Sequence, residues 1–222
     1  MPKGIIFDID GTLVDSVKQH AMAWQKAFAR YGHDVDLEAI RLQIGKGGDQ
    51  LMPVFLPAGL IEAKGEEIEQ VRSEIYKSEF LPQVRAFPGV RPLFERIAKA
   101  GLRIALASSA KGEELETYKR MAGISDLIGA ETSSDDAERS KPHPDIFKAA
   151  LSRLDLPSEQ VLVVGDSPFD AEAAGKIGLR TIGLLCGGFP ADTLKEAGCI
   201  ALYEDPAALL RDFDHSPLAG RP

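Results

Sequence analysis

Three stretches of the chain share one pattern: a short, continuous apolar run that stops abruptly at polar residues. Gly4-Ile5-Ile6-Phe7 runs into Asp8 and Asp10, Ile104-Ala105-Leu106-Ala107 into Ser108 and Ser109, and Val161-Leu162-Val163-Val164-Gly165 into Asp166. Uninterrupted runs of this length, rich in β-branched residues, predict strands buried on both faces and hence a parallel sheet. A further strand is predicted over 179–184 and a weaker one over 127–131. Helical periodicity fills the intervals at 90–100, 113–122, 144–154 and 168–177. The alternation predicts an α/β fold with a doubly wound parallel sheet. Ligands of such folds bind beyond the carboxyl ends of the strands, which is where Asp8, Ser108 and Asp166 fall.

The stretch from Asp10 to Ile104 is far longer than one strand-to-strand crossover needs. Its pattern is helical. Ser16-Val17-Lys18-Gln19 has the spacing of a capping box, and Val17, Ala21, Trp24 and Phe28 form one apolar stripe behind it. A second long, charge-rich helix is predicted over 62–77, with Pro53 and Pro57 interrupting what lies between. The expected organisation is a core of residues 1–14 and 88–222 carrying an inserted helical domain at 15–87. The tail, 215–222, contains glycine and two prolines and is expected to fray.

Composition narrows the function classes. With 34 Asp+Glu against 26 Lys+Arg, the net charge is -8, which argues against a surface-wide nucleic-acid partner. No apolar run approaches the roughly 20 residues of a membrane helix. The first apolar run meets Asp8 too early for a signal-peptide core. Two cysteines, Cys186 and Cys199, do not make a disulfide framework and are expected to pack as small hydrophobes. A cytoplasmic location is the expectation.

The polar residues at the strand ends carry the candidate chemistry. Asp8 and Asp10 stand two apart at a strand end, so both are expected on one face, with Ile9 turned inward and Gly11 allowing a sharp turn. Asp166 and Asp170 flank a helix start at which Ser167 is the expected cap and Pro168 the first helical residue. Four converging carboxylates need a counter-ion, and an all-oxygen site suits Mg²⁺. Lys141 is followed by Pro142 and Pro144, which stiffen its loop. Aimed into the carboxylates, it would offset part of their charge and bind a phosphoryl oxygen. Ser108 and the amide of Ser109 could donate to a phosphate at the start of the next helix.

Asp8-Ile9-Asp10-Gly11-Thr12-Leu13, Ser108, Lys141 and Gly165-Asp166-Ser167-Pro168-Phe169-Asp170, in this order, resemble the four motifs of the haloacid dehalogenase superfamily. The helical insertion resembles the type-one cap of its phosphoglycolate phosphatase and β-phosphoglucomutase branch. The resemblance implies a phosphatase for a small phosphorylated metabolite. Asp8 would be the nucleophile that forms an aspartyl-phosphate, and Asp10 the general acid/base. The Asp8 carboxylate, the Asp10 backbone carbonyl and Asp166 would hold Mg²⁺, with Asp170 in support; Ser108 and Lys141 would hold the phosphoryl oxygens. True dehalogenases lack the second aspartate, so Asp10 argues against halide chemistry. His20, followed by Ala and then Trp24, resembles the mutase, but Gly45-Lys46-Gly47-Gly48 departs from the mutase cap motif and Gly165-Asp166 from its Glu-Asp. Substrate specificity is expected around His20, Arg41 and Lys46. The rival readings are a phosphosugar mutase and a non-catalytic phospho-acceptor or binding module. A monomer is expected, with a dimer as the alternative.

Overall fold

The computed structural model describes residues 1–108, 110, 112–133 and 136–220. Its sheet has six parallel strands: β1 (Gly4–Phe7), β2 (Arg103–Ala107), β3 (Ala130–Thr132), β4 (Val161–Gly165), β5 (Arg180–Leu184) and β6 (Cys199–Tyr203). The spatial order is β3-β2-β1-β4-β5-β6. Every residue of β1 and β4 is buried, which is why these strands read as continuous apolar runs. Ile6 of β1 pairs with Ala105 on one side and Val163 on the other. Alternate residues feed two cores. Ile5, Phe7, Phe94, Leu106 and Val164 belong to one, and Ile6, Ala105, Phe147 and Val163 to the other. Strand order reverses between β1 and β4, so a crevice opens at their carboxyl ends.

The predicted strands all form, with one shift. β3 occupies 130–132 rather than 127–131, because Leu127 and Ile128 pack against the core from the preceding turn and Gly129 N–H donates to the Ile104 carbonyl. β6 was not anticipated. It is an edge strand with no buried residue, so its sequence lacks the continuous apolar signature.

Between β1 and α5 (Val90–Lys99) lie α1 (Val17–Arg30), α2 (Leu37–Arg41), α3 (Gly48–Phe55) and α4 (Ala58–Ile75). α1 buries Val17, Ala21, Trp24 and Phe28, the expected stripe. The expected capping box does not form. Ser16 turns away from the helix and donates from Oγ to Asp10 Oδ1 at 2.6 Å, a charged acceptor that outcompetes a backbone amide. Pro53 lies inside α3 rather than breaking it, while Pro57 is extended at the N-cap of α4. The two segments joining the insertion to the sheet run side by side: Asp15 N–H donates to the Arg85 carbonyl and Phe87 N–H to the Leu13 carbonyl, each at 2.9 Å.

The remaining helices are α6 (Gly112–Ala122), α7 (Asp145–Leu154), α8 (Pro168–Gly175), α9 (Ala191–Glu196) and α10 (Pro206–Arg211). The tail does not fray as expected up to Gly220. Ser216 donates to the Phe213 carbonyl and accepts from Leu218 N–H, and Leu218 joins the core beside Phe213. No helix among the described residues is long and apolar enough to cross a membrane.

Candidate active site

Three of the expected carboxylates converge. Asp8, Asp166 and Asp170 each place an oxygen within 4.8 Å of the others, and none is more than 3 % exposed. Asp8 follows β1, Asp166 follows β4, and Asp170 lies in the first turn of α8. Lys141 enters between them from its proline-rich loop and is itself buried. Its Nζ donates to Asp8 Oδ1 at 2.6 Å and to Asp170 Oδ1 at 2.8 Å. Asp170 therefore has two roles. Its Oδ2 accepts from the N–H and the hydroxyl of Ser167, completing a capping box on α8, while Oδ1 faces the lysine. Thr12 Oγ1 lies 3.0 Å from Asp166 Oδ1 and 3.3 Å from Asp8 Oδ2, bridging two carboxylates.

Among the described residues the cluster is short of positive charge: three carboxylates face one ammonium. Burial, reinforced by Asp170 and Asp10 and opposed by Lys141, pushes Asp8 up to about 7. Burial, followed by the charges of Asp8 and Asp170, holds Asp166 well above the usual carboxylate range. Burial works against the charge on Lys141, but Asp170 and Asp8 outweigh it and raise its pKa. Space around Asp166 is kept by two glycines. A Cβ on Gly11, where φ is +80°, would come within 2.3 Å of Asp166 Oδ2, and one on Gly187 within 1.7 Å. An all-oxygen acidic cluster, underneutralised and flanked by residues that leave its outer carboxylate room, fits a hard divalent cation. Cys186 sits nearby, its Sγ 3.2 Å from the Gly11 carbonyl, and burial pushes its thiol pKa up.

The carboxylate of Asp10 does not join this cluster, contrary to the expectation that all four would converge. β1 ends at Phe7 and the chain turns at Gly11, so strand alternation no longer governs Asp10. Its Oδ1 instead accepts from Ser16 at 2.6 Å and from His20 Nε2 at 2.9 Å. Burial alone would raise the pKa of Asp10, but His20 and Ser16 outweigh it and lower the value to about 2. His20, one of the residues around which specificity is expected, is held against the second aspartate. Its ring stacks on Tyr76 at a centroid distance of 3.9 Å and an angle of 9°. Behind it, Tyr118 OH lies 3.3 Å from His20 Nε2, donates to Glu114 Oε1 at 3.0 Å and bonds to Tyr76 OH. The sequence reading missed Glu114 and Tyr118. The available signal was a carboxylate and a tyrosine one turn apart on the same face of α6 as the apolar Leu115.

Ser108 is fully buried just beyond β2, its Oγ accepting from Ala110 N–H at 3.0 Å, and among the described residues its hydroxyl proton has no acceptor. Ser109 lies outside the described residues. Lys46 stands 4.6 Å over the Phe169 ring and donates to Gln43 Oε1 at 2.5 Å, with burial lowering its pKa. The loop that carries it is fixed to the Lys141 loop by Ser140 N–H, which donates to Asp49 Oδ2 at 3.2 Å. Arg41 is directed elsewhere, to Glu38 and the Gly188 carbonyl. A cavity of about 940 Å³ opens over Asp8, Asp10 and Lys141 and extends along the insertion past Lys46 to Trp24, Met52 and Arg72.

The sequence profile described as haloacid dehalogenase-like hydrolase matches residues 5–184. The chain is 28% identical over 217 residues to a phosphoglycolate phosphatase of Rhodospirillum rubrum, covering 94% of this chain and 90% of that protein. It is 27% identical to a phosphorylated carbohydrates phosphatase of Thermotoga maritima, covering 91% and 94%. The crystal structure of a hydrolase from Pseudomonas syringae superimposes with a TM-score of 0.86 at 30% identity, covering 96% of this chain and 98% of that one. The profile's span runs from β1 through β5 and takes in both the Lys141-bridged carboxylates and Asp10, and with that match the chain belongs to the haloacid dehalogenase-like hydrolases.

Proposed function

We propose that the site is a Mg²⁺-dependent phosphatase site for a small phosphorylated metabolite, working through an aspartyl-phosphate on Asp8. The observation that carries this reading is the buried Asp8 carboxylate, 2.6 Å from Lys141 within a cluster of three carboxylates and one cation. The relatives named phosphoglycolate phosphatase and phosphorylated carbohydrates phosphatase support the substrate class. Asp8 and Asp166 would hold Mg²⁺, with Asp170 in support. When bound, the ion supplies positive charge to the transferring phosphoryl group and lets Asp8 stay ionised.

Asp8 attacks phosphorus, its new O–P bond forming as the ester P–O bond breaks. Lys141 binds a phosphoryl oxygen, and the Ser108 hydroxyl is placed to do the same. The negative charge of the bound phosphoryl group has to raise Asp10 from the value of about 2 it has in the free chain, and the protonated Asp10 then hands its proton to the departing alcohol oxygen. Ser16 and His20 occupy its Oδ1, so Oδ2 is the atom that meets the leaving group. The ionised Asp10 then takes a proton from the water that hydrolyses the aspartyl-phosphate. Residues 15–87 act as a cap that limits water over these steps.

Phosphate release from a panel of phosphorylated metabolites and an aryl phosphate tests the reading. Release is expected with Mg²⁺, loss of it under excess chelator, and recovery when Mg²⁺ is returned. No release from any ester in the presence of Mg²⁺ would overturn it. Asp10→Asn is expected to slow alkyl ester hydrolysis by about 10²–10⁴-fold, and aryl esters less, because a good leaving group needs less protonation. An unchanged alkyl rate would remove Asp10 from the role of acid.

A further inference from the structure

The far wall of the cavity holds an arrangement that the phosphoryl chemistry does not use. Glu69 and Arg72 stand on adjacent turns of α4 and both line the cavity. Arg72 NH2 bonds to Glu69 Oε1, and the guanidinium lies 5.3 Å over the Trp24 ring. This pairing leaves one acceptor and one donor over. Glu69 Oε2 and Arg72 Nε are buried without a hydrogen-bond partner among the described residues. Buried polar atoms are ordinarily paired, so a donor and an acceptor left over within one ion pair call for a group that can serve both.

The chemistry of that group follows from the pair. A hydroxyl donates and accepts at once, and so can answer a carboxylate oxygen and a guanidinium N–H together. A carboxylate or second phosphate only accepts, and would meet Glu69 as a like charge. The charge on the cap side of the cavity points the same way. Asp49, Glu66, Glu69 and Glu74 line it, while Arg72 is paired with Glu69 and Lys77 lies 3.3 Å from Glu113. Lys46 stands at the other end, over Phe169 beside the phosphoryl site. Oε2 lies against Gly48, where a Cβ would come within 1.9 Å of it, and rotation about the last torsion of Glu69, a broad degree of freedom that moves both oxygens together, can turn the carboxylate toward a ligand.

Building on the phosphatase reading above, we infer that Glu69 and Arg72 form a hydroxyl-recognising subsite. The substrate is then the monophosphate of an uncharged polyhydroxylated compound, a sugar or polyol, rather than a phosphorylated carboxylic acid or a bisphosphate. At about 940 Å³ the cavity is far roomier than a two-carbon phosphoester requires, in keeping with a longer tail that reaches α4.

The test compares kcat/KM of the full chain with Mg²⁺ for hexitol and hexose 6-phosphates, 2-phosphoglycolate, a sugar bisphosphate and an aryl phosphate. The polyol and sugar monophosphates are expected to exceed 2-phosphoglycolate and the bisphosphate by about tenfold or more. In Glu69→Gln and Arg72→Lys, the ratio of polyol to aryl phosphate efficiency is expected to fall by about tenfold or more, because the pair that reads the hydroxyl is altered. Preference for the acid or the bisphosphate, or an unchanged ratio in both folded variants, overturns the inference and leaves the phosphatase reading standing. If neither variant folds, the substrate ranking of the unaltered chain decides alone. No hydrolysis of any ester, the aryl phosphate included, overturns the phosphatase reading, and this inference with it.

Discussion

Asp8→Asn is expected to lower kcat for every phosphoester by about 10⁴-fold or more while leaving the folded protein intact. The argument separates chemistry from packing. An amide has nearly the shape of the carboxylate, and its oxygen can still accept the 2.6 Å bond from Lys141. What it loses is the charge and the nucleophilic lone pair. Charge loss is no burden to the metal-free fold. Asp8, Asp166 and Asp170 lie within 4.8 Å of one another with Lys141 as the cation between them, so removing one carboxylate relieves repulsion. In metal-free buffer the variant should therefore melt at or above the temperature of the unaltered chain. Phosphate release and thermal melting, measured on the same preparation, check both halves. Retention of a tenth of the rate would exclude Asp8 as the nucleophile, and a melting point well below the parent would show that the carboxylate is needed for folding.

How far the sequence revealed this site depended on where each residue sits relative to a regular element. β1, β2 and β4 were readable because neighbours on both faces demand apolar residues at almost every position. Asp8 and Asp166 end two of those strands, so the fold rule that ligands bind at strand ends was enough to pick them out. Asp10 lies past the strand and beside a left-handed glycine, where no periodicity fixes a direction, and its carboxylate turned out to face Ser16 and His20. Ser16 shows the limit of local rules. It has capping spacing, yet a charged acceptor close in space claimed its hydroxyl.

Glu114 and Tyr118 are about 100 residues from His20, and nothing along the chain ties them to it. Glu69 and Arg72 look like an ordinary surface pair on a charge-rich helix. Only the packing of α4 over the crevice shows that both line a cavity. The tail was misread for a related reason. Glycine and proline suggest fraying, but Leu218 is a core residue and its neighbours serve to turn the chain back onto it.

Lys141→Met is the substitution with the largest expected cost to the fold, and its effect should depend on metal. Lys141 is 2 % exposed and bonds to two carboxylates that are themselves buried. A methionine of similar length fills the space but leaves Asp8, Asp166 and Asp170 without a paired cation among the described residues. Removing one partner of a buried ion pair typically costs about 3–5 kcal/mol, because the charge left behind is uncompensated. In metal-free buffer the variant is therefore expected to melt well below the parent. Burial and mutual repulsion already raise Asp8 and Asp166, and without the lysine both are driven further toward the protonated form. Mg²⁺ supplies the missing charge by mass action, so it should raise the melting temperature of the variant by more than that of the parent. Activity should not recover with stability. The ammonium that binds a phosphoryl oxygen is gone, and a loss of about 10²–10³-fold in kcat is expected even at saturating Mg²⁺. Melting curves with and without Mg²⁺, set beside phosphate release, separate the two effects. Equal melting shifts in the two proteins would mean that the ion does not stand in for the charge of Lys141, and no shift in either would mean that the cluster does not bind it. Full activity in the variant would mean that Lys141 serves the fold alone.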